Sequence, residues 1–346
     1  MKKRLLFFIL TPMFFTLYAQ QENMEVETGP YTPDWENLSA WECPEWFRDA
    51  KFGIWAHWDP QCEAEDGDWY ARSMYGANSS QWNTFRRIFG TPPSKTMGYK
   101  DLCNHWKADQ WDPEALIELY ASAGARYFMA MGQHHDNFDC WDSPYQEWNS
   151  TRIGPMKDIV GGWAEACRRH GLKLGVSMHG AHAWTFFEVG DAYDVHMTRE
   201  DGLATNVDGT YKYWWHGYDP QELYAQNHAH SQNWSDWGTI HSQWGWTNGV
   251  CPPSADYMLK FQNRVLQCIN KYNPDMIYFD DTVLPFYGAS TNTDDQYSLR
   301  ILQHYYNHSA AQHNGVPQVA LAFRSFLIVS PIAFMYSFSS FIVVSS

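Results

Sequence analysis

The amino-acid sequence predicts an α/β protein, a (β/α)8-type TIM barrel of which about five strands are present. Three observations lead there. Short apolar runs alternate with stretches of helical period, the mark of parallel βαβ units. No glycine-rich phosphate turn comes after the first strand, as a doubly wound sheet would usually show. Polar clusters stand at the C-terminal ends of at least four strands, AHWD, GQHHDNFD, SMHGAH and YFDD. That is the face where a (β/α) barrel collects its active site.

The first strand is KFGIWAHWD, Lys51–Asp59. DPEALIELYASA, Asp112–Ala123, reads as a helix with Leu116, Leu119, Tyr120 and Ala123 on one face, ended by Gly124. RYFMAMG, Arg126–Gly132, is the second strand. Asp158 opens a helix with Val160, Trp163 and Cys167 on one stripe and Gly171 as its stop. KLGVSMH, Lys173–His179, is the third strand. A long insertion over about 181–253 carries Trp214, Trp215, Trp234, Trp237, Trp244 and Trp246, expected mostly to pack the insertion on itself. Ser254 caps the next helix, whose Met258, Phe261, Val265, Cys268, Ile269 and Tyr272 keep helical spacing up to Asn273–Pro274. MIYFDD, Met276–Asp281, is the fourth strand; a helix over about 293–310 precedes the fifth, Pro317–Phe323.

Both ends read differently from this body. Residues 1–19 have the Lys2-Lys3-Arg4 charge cluster and apolar Leu5–Leu17 run of a secretory signal peptide, too short to span a bilayer comfortably. The expected location is therefore secreted or periplasmic. Residues 20–323 form the partial barrel. The tail over 324–346 is almost wholly apolar and serine, with Pro331 inside it and neither helical stripe nor turn chemistry. It reads as a frameshift or truncation scar rather than a membrane anchor. Five strands cannot close an eight-stranded barrel, so open sheet edges are expected, and the chain is expected to be unstable or nearly inactive.

The chain has 346 residues, a net charge of −15, 17% aromatic content and 19 tryptophans. An acidic chain without a basic patch is a poor nucleic-acid binder, because phosphate neutralisation supplies most of that affinity. Abundant large rings suit sugar handling, where pyranose C–H faces pack on aromatics, and equally suit a Trp-rich core. The seven cysteines are odd in number and include no CxxC pair, so a disulfide framework is not expected, although an exported protein leaves room for one or two bridges. Cys167 and Cys268 read as buried thiols.

In MIYFDD, Tyr278 and Asp280 share one side of the strand and Asp281 takes the other. A carboxylate at the barrel mouth, walled by aromatics and ringed by histidines, could attack an anomeric carbon; it could also merely cap the next turn. His134 and His135 are adjacent and expected to diverge past the strand end. Neutral imidazoles suit sugar hydroxyls, offering one donor and one acceptor each. A metal-dependent hydrolase using His57, His134, His135 and His179 is the competing reading, without an HxxxH or HxxEH spacing to support it. Asp68 and Trp69 in DGDWY could hold a hydroxyl and a C–H face, or form a surface turn.

Together these pieces resemble the α-L-fucosidases of glycoside hydrolase family 29. WFRDAKFGIWAHWDP is similar to that family's first strand, GDWYARSMY to its Gly-Glu-Trp-Tyr segment, GQHHDNFDCWDS to its His-His-Asp-Gly-Phe block, and NPDMIYFDD to its nucleophile strand. The resemblance runs in order over about 45–285. It implies retaining exo-hydrolysis of terminal α-L-fucosides without metal or cofactor, on a fucosylated oligosaccharide or glycoconjugate. Asp280 is the implied nucleophile, and His57, His134, His135, Asp68 and Trp69 the implied glycone-binding groups. Four departures stand out: Asp68 for Glu, SMHGAHAW for Tyr-Tyr-Ser, Tyr278 for Trp and Asp281 for Gly. They leave room for His179 or His182 to replace a tyrosine and for another hexopyranose as substrate. The family's acid/base carboxylate lies later in the chain, and no residue here is assigned to it. A sugar-binding barrel without catalysis is the alternative.

Overall fold

The computed structural model describes residues 23–232, 234, 235, 246, 249–280, 284–287, 289, 296–323 and 341–344. The signal-peptide reading, Asp281, Trp237, Trp244 and residues 324–340 lie outside the described residues.

Five parallel strands match the expected runs: β1 Gly53–Ala56, β2 Tyr127–Gln133, β3 Lys173–Met178, β4 Met276–Phe279 and β5 Ala320–Phe323. A sixth, β6 Phe341–Val344, pairs in parallel with β1, Gly53 facing Phe341. The spatial order is β5-β4-β3-β2-β1-β6. Among the described residues the sheet is open, an incomplete α/β barrel. The tail thus contributes one strand on the β1 side, which its composition alone did not announce.

The expected helices are present as Pro113–Ser122, Ile159–His170, Ala255–Tyr272 and Gln296–Gln312. Their ends obey local chemistry. The carboxylates of Asp112 and Asp158 and the hydroxyl of Ser254 accept from backbone N–H groups of the first turn. Gly171 and Asn273 close two of them in the left-handed region. The segments before β2 add helices the periodicity did not reveal, among them Glu45–Ala50, Ser80–Phe89 and Tyr99–His105.

The two faces of the sheet differ. Ile54, Phe128, Val176, Ile277 and Phe279 point to the helices and belong to the large core. Tyr127, Met129, Met276, Tyr278, Ala320 and Ala322 point the other way and form a small second cluster, with Trp46, Phe47 and Trp55 partly buried against it. This is the barrel interior, and Tyr278 lies on it, as strand alternation predicts. All seven cysteines are free, and Cys167 and Cys268 are buried. No helix among the described residues is long and apolar enough to cross a membrane.

Candidate active site

Parallel pairing brings the C-terminal ends of β1 to β4 to one level. Ala56 faces Ala130, Met178 faces Phe279, and the next residues are His57, His179 and Asp280. Between β2 and β3 the register slips: Met131 faces Ser177, and Gln133 faces Met178. Gly132 sits in this slip, where an added Cβ would lie 2.7 Å from Val176 Cγ1 and 3.0 Å from the Ser177 carbonyl. Such a bulge re-aims the side chains just beyond it. Both His134 and His135 then enter the same cluster, their ring centroids 4.7 Å apart. The expectation that they diverge is corrected here, because the extended conformation ends at Gln133 and His134 opens a turn, its carbonyl accepting from the Asn137 N–H.

Asp280, 8% exposed, lies at the centre. Its Oδ1 accepts from the Tyr278 hydroxyl at 2.9 Å. Its Oδ2 is 3.2 Å from His135 Nε2 and 4.0 Å from His179 Nδ1. The other nitrogen of His135, Nδ1, is 3.0 Å from the His179 carbonyl. A carbonyl only accepts, so Nδ1 donates, which turns Nε2 toward Asp280 Oδ2. His134 Nδ1 contacts the Gln61 amide at 2.5 Å, and its Nε2 is 3.5 Å from Asp68 Oδ1 on an exposed loop. Trp69 stands edge-on to His135 at 5.9 Å between ring centroids. All eight residues singled out from the sequence therefore meet in one place.

Burial, first of all, pushes the pKa of His57, His134 and His179 below the ordinary imidazole value. Around His134 the rings of His135, His57 and His179 add to it, whereas Asp68 and Asp280 oppose it at His57 and Asp280 at His179. These rings are neutral at pH 7. His57 Nε2, His134 Nε2 and His179 Nδ1 are buried and have no hydrogen-bond partner among the described residues. A buried polar atom without a protein partner is uncommon and costly, and its usual explanation is a ligand or an ordered water. His57, His134 and His179 each bring a nitrogen within 4.8 Å of the others, and His135, His179 and Asp280 do the same, spacings a metal ion could also use.

Four contributors escaped the sequence reading. Trp55 packs against Tyr278, centroids 4.7 Å apart, and Ser177 Oγ meets His179 Nε2. Each precedes a site histidine by two residues, so strand alternation could have found them. Phe186, 5.6 Å from the His135 ring, and Gln61 come from short helices after β3 and β1 and leave no periodic signal. His182 stacks on Trp246 rather than reaching Asp280. The rest of the HHDNFD segment is structural. Tyr99 donates to Asp136, whose pKa burial raises to about 6, and Arg264 clamps Asn137 and Asp139.

A parallel barrel sheet with a carboxylate and a histidine ring at its C-terminal edge defines the class: an incomplete α/β barrel of the kind that gathers its chemistry at that face. The family model described as Alpha-L-fucosidase matches residues 18–318, so the chain belongs to the alpha-L-fucosidase family. Tissue alpha-L-fucosidase of Macaca fascicularis is 34% identical over 148 residues, 42% of this chain and 31% of that protein. Alpha-L-fucosidase of Branchiostoma floridae is 27% identical over 268 residues, 71% of this chain and 57% of that protein. Among solved structures, the Thermotoga maritima alpha-fucosidase in complex with fucose superposes with a TM-score of 0.55 at 23% identity, covering 86% of this chain and 57% of that one. The chain thus spans well under two thirds of these relatives.

Proposed function

We propose that this chain carries the glycone-binding and nucleophile half of a retaining exo-glycosidase acting on terminal α-L-fucosides, and that it is exported. The observation that carries the reading is Asp280, held by the Tyr278 hydroxyl at 2.9 Å and faced by buried imidazoles with unused nitrogens. A pyranose presents hydroxyls that both donate and accept, which is what neutral histidines complement. Trp69 offers an apolar edge beside them. In the reaction, Asp280 Oδ attacks the anomeric carbon as the glycosidic C–O bond breaks, giving a glycosyl ester that water then opens. The leaving oxygen needs a proton, and no described residue is assigned to give it. Support for fucose comes from the family and from relatives named as fucosidases.

The test avoids the need for that proton. A 2-deoxy-2-fluoro-α-L-fucosyl fluoride leaves as fluoride without acid help. The expected result is a covalent fucosyl adduct on the peptide containing Asp280, absent from Asp280→Asn, seen by mass spectrometry. Fucose binding by calorimetry with no adduct would support the second reading, a sugar-binding barrel without catalysis. Absence of both would remove fucose as the ligand. Whatever turnover of an activated aryl α-L-fucoside the wild-type chain shows should be lost in Asp280→Asn.

A further inference from the structure

We propose that Gln61 is a positioning residue that fixes His134 as the Nε2–H tautomer, so that His134 offers the cavity a hydrogen-bond donor and not a lone pair for a metal ion. Gln61 lies in the turn after β1 and is 4% exposed. The two ends of its amide are told apart by what they touch. Oε1 accepts from the backbone N–H of Ala71 at 3.1 Å. A backbone N–H can only donate, so the oxygen must face it. The NH2 end then meets His134 Nδ1 at 2.5 Å, with Asp59 Oδ2 at 3.4 Å as its second acceptor. An NH2 can only donate, so Nδ1 is the lone pair and the ring proton sits on Nε2. Nε2 is buried, without a hydrogen-bond partner among the described residues, and shares the cavity with His57 Nε2 and His179 Nδ1.

The consequence is a choice between two ligand chemistries. His57, His134 and His179 stand close enough to hold a metal ion. Three imidazoles do so only with three lone pairs directed inward. To free the lone pair on Nε2, His134 would need its proton on Nδ1, against the Gln61 NH2. Flipping the amide would cure that contact and leave the Ala71 N–H without its acceptor. His179 has no such lock, since its neighbour Ser177 Oγ both donates and accepts. A polarised, fixed donor suits a hydroxyl oxygen. Only the identity of that oxygen as a sugar hydroxyl rests on the function proposed above.

The tautomer is read directly from long-range ¹H–¹⁵N spectra of the full chain labelled at histidine, with His134→Gln supplying the assignment. The expected spectrum has His134 protonated at Nε2 in the wild type and both tautomers in Gln61→Met, which keeps the side-chain length and removes the donor. Zinc titrated into Gln61→Met should bind at least tenfold more tightly than to the wild type, and the gain should vanish when His134→Gln is added. A wild-type ring protonated at Nδ1 overturns the proposal, as does zinc binding to the wild type that His134→Gln abolishes. The wild-type spectrum decides even where the variant fails to fold. An Nε2–H ring in a chain that binds no L-fucose keeps this inference and removes the sugar reading; fucose binding with the opposite tautomer does the reverse.

Discussion

Two of the buried polar clusters in this molecule are built to opposite rules. Around Lys100, each group meets a partner of complementary kind. Its Nζ reaches the Asp194 carboxylate, Asp101 at 3.4 Å and the Thr96 carbonyl at 3.2 Å. Asp194 also accepts from the hydroxyls of Tyr75 at 2.8 Å and Tyr224 at 2.6 Å. Those hydroxyls in turn take the backbone N–H groups of Tyr99 and Lys100. At the barrel mouth, three imidazoles each leave one buried nitrogen unsatisfied among the described residues. The first cluster closes on itself and holds loops together. The second leaves nitrogens open to a ligand or an ordered water. Satisfaction of hydrogen bonds, rather than burial or charge, is what differs between these two clusters.

The comparison can be broken most forcefully at Lys100. Lys100→Met leaves Asp194 buried without its cation and should cost about 3–5 kcal/mol, read as a large fall in Tm or in denaturant midpoint. A fall no greater than that of a surface substitution would remove the structural role.

His304 tests the same rule through pH. Its Nδ1 accepts from the Glu27 N–H at 2.9 Å, and its Nε2 meets Asn270 Oδ1 at 2.8 Å. Burial, with His308 nearby, lowers its pKa to about 4 from the ordinary 6.5. The folded value lies below the unfolded one, so the stabilisation is complete above pH 6.5 and is lost as pH falls from 6.5 to about 4. The full loss is about 3 kcal/mol. His304→Gln should flatten that limb of the stability curve, and an unchanged slope would mean that the ring does not govern it.

Gly132→Ala comes next. Its new methyl meets Val176 and the Ser177 carbonyl, an overpacking that should cost about 1–3 kcal/mol. Fucose binding, measured by calorimetry, should weaken alongside, since both site histidines come directly after the slip. The smallest expected change is in His57→Gln. This removes an unsatisfied ring, so stability should move by no more than about 1 kcal/mol. Fucose binding should weaken tenfold or more. A large stability loss with unchanged binding would place His57 among the structural residues instead.

Much of the fold was legible because each strand is a short apolar run buried on both faces, bounded by a helix cap or a glycine stop. RYFMAMG, KLGVSM and MIYF announce themselves that way. The helices before β2 were not legible, being short and fixed by contacts distant in sequence. Tyr70 at 0% exposure and Phe85 at 0% serve a core whose other half comes later in the chain. Alternation placed Tyr278 and Asp280 on one side, and the polar strand ends placed His57 and His179. Alternation misjudged His134 and His135, because both lie in a turn beyond Gln133, where the strand has already ended. Gln61 was hidden for a different reason. Its role depends on which end of an amide faces Ala71, a fact of tertiary geometry with no counterpart in spacing.

That slip at Gly132 makes the barrel mouth sensitive to counting as well as to identity. Two neighbouring imidazoles take their present level in the cluster while β2 runs one residue ahead of β3. Deleting a single residue there would leave every functional side chain present in the gene yet return the strand to its ordinary cadence, drawing both rings one position back along the sheet. A ledger of intact motifs would then describe a protein whose grip on its ligand had gone.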